Sequence, residues 1–515
     1  MGNGFSCFEK EHWKDGNGID RPYQQTREDV YQDMTLPLSH YFISSGHNSY
    51  LAGGQLYGTA GTSTITRCLD QGCRVVELDV YNGPVCTHGG TLVQSVAFEE
   101  CIIAIKEYAF RASPFPVIIT MEIHADAESQ ARMAMILIQQ LADMLHIPPR
   151  RQAGEPPPPH FESPEALRGK ILCRASVAKL VNEDLKGLIY VANAKMTSFK
   201  KMIDNAGAVS SSFEETALPK VEELDAEDAR KDARQPRTST STPATTTTPR
   251  QQRQSWAATG GRSDAAPEDA PAPDADMVAG SIRELYTYTS RHLMRVYPAG
   301  WRVLSGNYSP MRAWVRGASL AALNWQVWDE ALWCNQGKFM DNGQCGYVLK
   351  PEWMRQPGPQ LPGGPGGRGR ERRLVVCVHS AYKYQGRNWF VFKDDLFVRL
   401  TLWGMPVDRC CQHTRTVCNS GRLVVQESFE FPVRFPEMAV LCVELMDENV
   451  GGPMAKHADA DSLGYFSLPL STLAEGDFKL QLRHPRRGER LDPTRTWVKV
   501  GFTWRDSSPY GGEGK

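Results

Sequence analysis

Apolar residues follow two rhythms along this chain. Between Leu36 and Arg174, short strand-like apolar runs alternate with stretches whose apolar residues recur at helical spacing. SHYFIS (39–44), CRVVELDV (73–80), PVIITMEIH (116–124) and KILCRAS (170–176) are the strand-like runs. FEECIIAIKEYAF (98–110) and AESQARMAMILIQQLADML (127–145) carry the helical period. This alternation predicts βα units around a parallel sheet. The first run delivers His47 and Asn48 just past its end. The second carries Glu77 and Asp79 at i and i+2, on one face of a strand, with Leu78 turned away. THGG then presents His88, and the third run ends in Glu122. Three carboxylates, an amide and two histidines at strand ends are the layout expected of a metal site at the C-terminal mouth of a parallel barrel.

Further along, DLKGLIYVANAK (184–195) continues the series, and residues 218–277 lose all pattern. An acidic mixed-charge run there gives way to TSTSTPATTTTPRQQRQ and APEDAPAPDAD, which predicts a disordered low-complexity insert. Order resumes with SIRELYTYTSRHLMRVYPAGWRVLSGNYSP (281–310), RAWVRGASLAALNWQVW (312–328) and FMDNGQCGYVLKP (339–351), read as the closing units of the barrel. Residues 356–373, rich in Pro and Gly with a basic end, read as a linker. Beyond it, LVVCVHSAY, LFVRLTLWG, SFEFPVRF, AVLCVELMDE, LGYFSLPL and TWVKVGFTW are strand-like runs without intervening helices. They predict a separate β-sandwich over 374–505.

Composition narrows the function classes. A 515-residue chain that is 41% hydrophobic can bury two or three ordinary cores. The net charge of -1 offers no basic excess for nucleic acid. The 13 cysteines form no CxxC pair and are spread singly apart from Cys410–Cys411, which argues for reduced thiols and against a zinc site. No apolar run approaches the roughly 20 residues that span a bilayer, so membrane contact is expected to be peripheral.

The phrases SHYFISSGHNSYL, CRVVELDVYNG, RASPFPVIITMEIH, YPAGWR, NYSP, ALNWQ and NGQCGYVLKP together resemble eukaryotic phosphoinositide-specific phospholipase C. The resemblance implies an X half over 36–180, a Y half that begins at 181–217 and resumes at 278–355 after the insert, and a C2-type sandwich in the tail. The expected fold is therefore α/β, a TIM-type (β/α)8 barrel followed by an all-β C2-type sandwich. The family's usual pleckstrin-homology and EF-hand modules have no room in the N-terminal segment 1–35.

The implied activity is calcium-dependent cleavage of an inositol phospholipid into diacylglycerol and inositol phosphate by way of a cyclic phosphodiester, in signal transduction and lipid catabolism. The resemblance makes Asn48, Glu77, Asp79 and Glu122 the calcium ligands. An all-oxygen set of this kind suits a hard ion. His47 would stabilise the phosphoryl oxygen, and His88 would protonate the departing glycerol oxygen and then activate water. Glu77 and Glu122 are both candidates for general base, and the sequence does not choose between them. Each residue alone has an ordinary reading, as a hydrogen-bonded strand-end histidine or a solvated acid. Glu77 and Asp79, however, interrupt an apolar run, where an unpaired charge is costly to bury.

Head-group recognition falls, by the same resemblance, to Arg174, Ser212, Arg295 and Tyr297. The family's second lysine, two residues beyond Arg174, is here Ser176. Losing that ammonium removes a charge-assisted contact of about 1.5–3 kcal/mol, so preference for a 4,5-bisphosphate head group is expected to weaken. Lys179 is the nearby residue able to compensate. Leu56, Leu92 and Trp301 match an apolar rim that dips into lipid, with burial in the core as the alternative for each. Asp394, Asp395, Asp447, Asp459 and Asp461 fall in expected sandwich loops, where surface acids are common and some family members hold calcium.

MGNGFSC fits the N-myristoylation pattern through Gly2 and Ser6, and Cys7 is placed for palmitoylation. Two acyl chains give stable anchoring where one does not. The expected location is the cytoplasmic face of a membrane, the plasma membrane in the first instance. The expected partners are phosphoinositide lipids and the membrane surface; no protein partner is indicated. The alternatives are an inactive lipid-binding adaptor and a glycerophosphodiester phosphodiesterase. The adaptor predicts a missing histidine or ligand, and none is missing. The phosphodiesterase would not be expected to carry the Y-half phrases or the C2-type tail.

Overall fold

Eight parallel strands close on themselves between Tyr41 and Leu323. The computed structural model describes residues 20–56, 58–89, 91, 93–149, 158–204, 207–218, 282–356, 371–384, 394–418, 420–448 and 460–506. The chain divides into two compact units, Arg27–Gly369 and Met1–Thr26 with Arg370–Lys515. In the first, β1 (Tyr41–Gly46), β2 (Val75–Tyr81), β3 (Val117–Ile123), β4 (Ile171–Ser176), β5 (Ile189–Asn193), β6 (Ser210–Glu214), β7 (Leu293–Tyr297) and β8 (Leu320–Leu323) pair in chain order. β8 returns to β1 from Ile43↔Leu320 to Gly46↔Leu323, and Ser45↔Val75 completes the ring. A short strand, Tyr347–Leu349, runs antiparallel to the start of β1. This is the expected (β/α)8 barrel.

The intervening helices start where local chemistry favours it. α1 (Ser63–Asp70), α2 (Phe98–Tyr108) and α3 (Ala127–Leu141) follow β1, β2 and β3. The Asp126 carboxylate caps α3 by accepting the Ser129 N–H at 2.8 Å. β6 ends at Glu214 and runs into a short 3-10 helix, Glu215–Ala217; the next described element is the helix Ile282–Arg291 before β7. The expected insert thus falls between the sixth and seventh barrel strands, and apart from Leu218 it lies outside the described residues.

Side chains alternate along each strand, so steps of two residues climb the barrel interior. The lowest layer is hydrocarbon: Ile43, Val75, Ile118, Leu172, Val191, Leu293 and Leu320 belong to one buried cluster. Two residues further along the same strands come Ser45, Glu77, Thr120, Arg174, Asn193, Arg295 and Ala322. Register keeps this second layer level, with Glu77 opposite Thr120, Thr120 opposite Arg174, and Ser212 opposite Arg295. A further step reaches His47, Asp79, Glu122, Ser176, Tyr297 and Asn324. The interior therefore changes from apolar to charged within one pleat.

The second unit is all-β. β9 (Arg372–Lys383), β10 (Leu396–Trp403), β11 (Cys410–His413), β12 (Arg422–Val433), β13 (Val440–Asp447), β14 (Asp461–Pro469), β15 (Gly476–Gln481) and β16 (Thr496–Asp506) form two four-stranded antiparallel sheets. Their orders are β12-β9-β16-β15 and β11-β10-β13-β14. Six of these strands correspond to the apolar runs read from the sequence. The two unforeseen ones, β11 and β15, lie at sheet edges, where half-exposed strands need little apolar character. β9 starts at Arg372, inside the stretch expected to be linker.

Residues 20–26, the described residues ahead of the barrel unit, belong to this sandwich. Pro22 bridges in parallel to Lys479 on edge strand β15, the Lys479 N–H donates to Arg21 O at 2.8 Å, and the Thr26 N–H donates to Thr472 O at 3.0 Å. Tyr23 packs edge-on against Phe466, Phe478 and Phe502 at 5.6, 5.1 and 6.0 Å between ring centroids. Burial pushes its phenol up to about 12. The strap covers an edge that would otherwise present unpaired backbone groups. Tyr23→Ala should lower sandwich stability by about 2–3 kcal/mol, read as a lower urea midpoint of the full chain. An unchanged midpoint would mean that the strap contributes nothing.

Candidate active site

A cavity of about 460 Å³ opens at the C-terminal ends of the barrel strands. Its lining contains all ten residues to which the sequence attaches catalysis, metal binding or head-group contact, from His47 to Tyr297. Carboxylate oxygens of Glu77, Asp79 and Glu122 lie within 4.8 Å of one another. Asp79 faces Glu122 across the β2–β3 pair, and Glu77 lies one pleat below on β2. Burial, then the charges of Glu77 and Glu122, push the Asp79 carboxyl well above its ordinary range. Tyr50 donates to Asp79 Oδ2 at 2.8 Å, while Asp79 Oδ1 is buried without a hydrogen-bond partner. An orphaned carboxylate oxygen among three acids fits a bound hard cation.

Glu77 is held differently. Burial opposes its charge, but Arg295, His47, the Asn48 N–H and Arg174 outweigh that effect and keep its carboxyl below the usual range. Arg295 Nη2 binds Glu77 Oε1, the Asn48 N–H donates to Oε2 at 3.3 Å, and His47 Nε2 stands 3.9 Å from Oε2. Asn48 has a φ of 42°, a left-handed conformation that asparagine tolerates better than most residues. That turn lets one residue offer its N–H to Glu77 and its side chain to the cavity. Glu122 is the outermost of the three acids. Its Oε1 lies 3.3 Å from His124 Nε2 and 3.6 Å from Lys179 Nζ.

Both histidines are oriented through Nδ1. His47 Nδ1 donates to Asn324 Oδ1 at 2.9 Å, and His88 Nδ1 donates to the Gln55 carbonyl at 2.8 Å. This leaves Nε2 of each ring as the nitrogen able to act on a ligand. Burial lowers the His47 pKa, with Glu77 opposing and Arg295 reinforcing the shift. Arg174 is fixed by Ser210 Oγ at 2.9 Å, Asn193 Oδ1 at 2.8 Å and Ser212 Oγ at 2.7 Å. Burial and the neighbouring Arg295 lower its pKa to about 9. Ser212 therefore contacts Arg174, and Ser176 and Lys179 both line the cavity.

Sequence reading missed the residues that position these groups. Gln55 Oε1 accepts from Asn48 Nδ2 at 2.9 Å, and Gln55 Nε2 donates to Ser305 Oγ at 2.9 Å and to Asn324 Oδ1 at 3.2 Å. With its carbonyl on His88, Gln55 thus meets His88 itself, the Asn324 that holds His47, and the Asn48 amide. Asn324 sits in the phrase ALNWQ and Tyr50 in SGHNSYL, but nothing in their spacing signals which side chain each would meet.

Leu56 and Trp301 stand outside the cavity lining, 38% and 37% exposed. The Gln55 N–H donates to Val303 O at 2.9 Å, which joins the Leu56 loop to the loop carrying Trp301. Val303 and Leu304, 36% and 71% exposed, extend the same apolar edge. Buried Glu215 secures that loop by accepting from the Ala299 N–H at 3.0 Å and from Arg302 Nη2 at 2.9 Å. Leu92, Gly2 and Cys7 lie outside the described residues. In the sandwich, Asp394 pairs with Lys383 at 2.8 Å, Asp447 Oδ1 accepts from the Asp395 N–H at 2.8 Å, and Asp459 is outside the described residues. Among the described residues, Glu77, Asp79 and Glu122 are the one group of His, Cys, Asp or Glu side chains arranged to hold a metal.

The chain matches the phosphatidylinositol-specific phospholipase C X domain over residues 34–176 and the Y domain over 274–353. It is 32% identical over 481 residues to the Homo sapiens protein 1-phosphatidylinositol 4,5-bisphosphate phosphodiesterase delta-3, a match covering 92% of this chain and 57% of that protein. It is 28% identical to Arabidopsis thaliana phosphoinositide phospholipase C 6, covering 92% of this chain and 78% of that one. Among solved structures it is similar to S. officinalis PLC21, with a TM-score of 0.72, 24% identity, and coverage of 94% of this chain and 58% of the other. The chain thus spans little more than half the length of its human relative.

The acid cluster predicts a stability signature without added divalent cation. A carboxyl whose folded-state pKa is raised costs stability as pH rises above its unfolded value. Asp79→Asn should therefore raise the thermal midpoint, and the gain should widen as pH rises above the ordinary carboxylate range. A gain that is absent, or that shrinks with rising pH, would contradict this electrostatic account.

Proposed function

We propose, for a chain that belongs to the eukaryotic phosphoinositide-specific phospholipase C family, that the barrel mouth cleaves inositol phospholipids to diacylglycerol and inositol phosphate in a calcium-dependent reaction. The observation that carries the proposal is the partnerless, buried Asp79 Oδ1 among three carboxylates, beside two histidines whose Nδ1 atoms are already engaged. Asn48, Glu77, Asp79 and Glu122 would hold the ion. When bound, calcium would lower the pKa of the inositol 2-hydroxyl and offset charge at the phosphorus.

The chain's own groups supply the remaining chemistry. Glu122 is the better general base of the two candidates, because both Glu77 oxygens are engaged and its carboxyl is held low. It takes the 2-hydroxyl proton as that oxygen attacks the phosphorus. An anionic phosphate arriving at His47 Nε2 favours the imidazolium, which then donates to Asn324 and to a phosphoryl oxygen together. His88 delivers its Nε2 proton to the departing glycerol oxygen. The neutral ring, still donating Nδ1–H to the Gln55 carbonyl, then accepts a proton from the water that opens the cyclic diester.

Arg174, braced by two serines and an asparagine, is assigned to a ring phosphate, and Leu56, Trp301, Val303 and Leu304 to the lipid surface. Myristoyl and palmitoyl chains on Gly2 and Cys7 would hold the enzyme at the cytoplasmic face of a membrane.

Release of inositol phosphate from vesicles should require calcium and stop with a chelator. His47→Ala should lower turnover at least about 100-fold while leaving vesicle association intact; Gly2→Ala should release the protein from cell membranes. Turnover that persists in His47→Ala would refute the catalytic assignment. Ser176→Lys should raise turnover of the 4,5-bisphosphate relative to the monophosphate about tenfold. A strong bisphosphate preference in the unaltered enzyme would overturn the role given to Ser176.

A further inference from the structure

We infer that Cys377, on the outer face of the sandwich, is a nucleophilic thiol activated by His379 and Asp477, and that it is a site of oxidation by hydroperoxides. Cys377 Sγ lies 3.7 Å from His379 Nδ1, and His379 Nε2 lies 2.8 Å from Asp477 Oδ1. Gln426 Oε1 stands 2.9 Å from the same Nδ1. Thiol, imidazole and carboxylate thus form a chain, the arrangement in which a base next to a nucleophile is itself oriented by a third group.

Three local features of the sheet converge on this point. Val378 pairs with Val500 and Ser380 with Lys499, so His379 is an extra residue bulged out of β9. Bulges re-aim side chains, and here the bulged residue is the imidazole. Gln426 on the neighbouring strand β12 has a φ of 54°, a left-handed conformation at the position facing that bulge. Gly501 on β16 lies between Cys377 and Asp477 in the sheet, paired with both. A Cβ at 501 would collide with Asp477 Oδ1 and crowd His379 Nε2 at 3.2 Å, so glycine keeps open the space in which ring and carboxylate meet.

The chemistry follows from the contacts. Asp477 Oδ1 at Nε2 and Gln426 Oε1 at Nδ1 are both acceptors, so the ring donates from both nitrogens once the thiol proton has passed to Nδ1, leaving a thiolate beside an imidazolium. The thiolate attacks one oxygen of hydrogen peroxide: an S–O bond forms, the O–O bond breaks, and the departing hydroxide leaves as water with the imidazolium proton. Sulfur is oxidised by two electrons to a sulfenic acid and the peroxide is reduced.

The full chain would be treated with hydrogen peroxide and a sulfenic-acid trap, and each cysteine quantified by peptide mass spectrometry. Cys377 is half-buried, whereas Cys411 and Cys418 are exposed, so accessibility alone ranks Cys377 last of the three. The expected result at neutral pH is labelling of Cys377 about tenfold faster than of either. In His379→Gln, which keeps a polar group but accepts no proton, and in Asp477→Asn, labelling should fall to the level of Cys411 with the thermal midpoint unchanged. Labelling of Cys377 no faster than Cys418 in the unaltered protein would overturn the inference. So would an undiminished rate in His379→Gln.

Discussion

The barrel depends on one buried ionic contact, Arg295 on Glu77, set on a plug of hydrocarbon. Both groups lie in the low-dielectric interior, where an ion left without its partner costs several kcal/mol. The layer beneath them, from Ile43 round to Leu320, excludes water from below, so these charges are met by each other and by the groups above, although Arg295 Nε has no hydrogen-bond partner. Arg295 offsets the burial of Glu77; Glu77 in turn draws His47 and the Asn48 N–H to its second oxygen. Removing either partner would leave the other exposed to the same cost.

A division of labour among the three acids follows. Glu77 is charged and engaged on both oxygens. Asp79, one pleat higher, has one oxygen on Tyr50 and one without a partner, and its neighbours penalise its charge. Glu122, at the outer edge, meets His124 and Lys179. A cation entering between them would meet a graded set of oxygens: one carboxylate anchored, one frustrated and one exposed. That gradation arises from depth in the barrel and not from differences in side-chain chemistry.

Gln55 links this machinery to the apolar edge. Its side chain holds the Asn48 and Asn324 amides, its carbonyl holds His88, and its N–H holds the loop bearing Val303 and Leu304. A surface that ordered those loops would act on both histidines through a single residue. The sandwich is built on different terms, with its own edge covered by the strap around Tyr23.

The order of elements, the pairing of Glu77 with Asp79 on one strand face, and the strand-end positions of His47, His88 and Glu122 were all legible in the sequence, because alternation and helical spacing are local properties. So were the family phrases and six of the eight sandwich strands. Edge strands β11 and β15, lacking a strong apolar signal, were not. Nor were Gln55, Asn324 and Tyr50, whose importance lies in contacts with residues far away in the chain, as with Gln55 and Asn324, some 270 residues apart. The choice of which acid carries charge comfortably and which does not also came only with the fold. Sequence fixes which groups are present and their local direction, whereas burial and long-range partners exist only once the strands have closed into a ring.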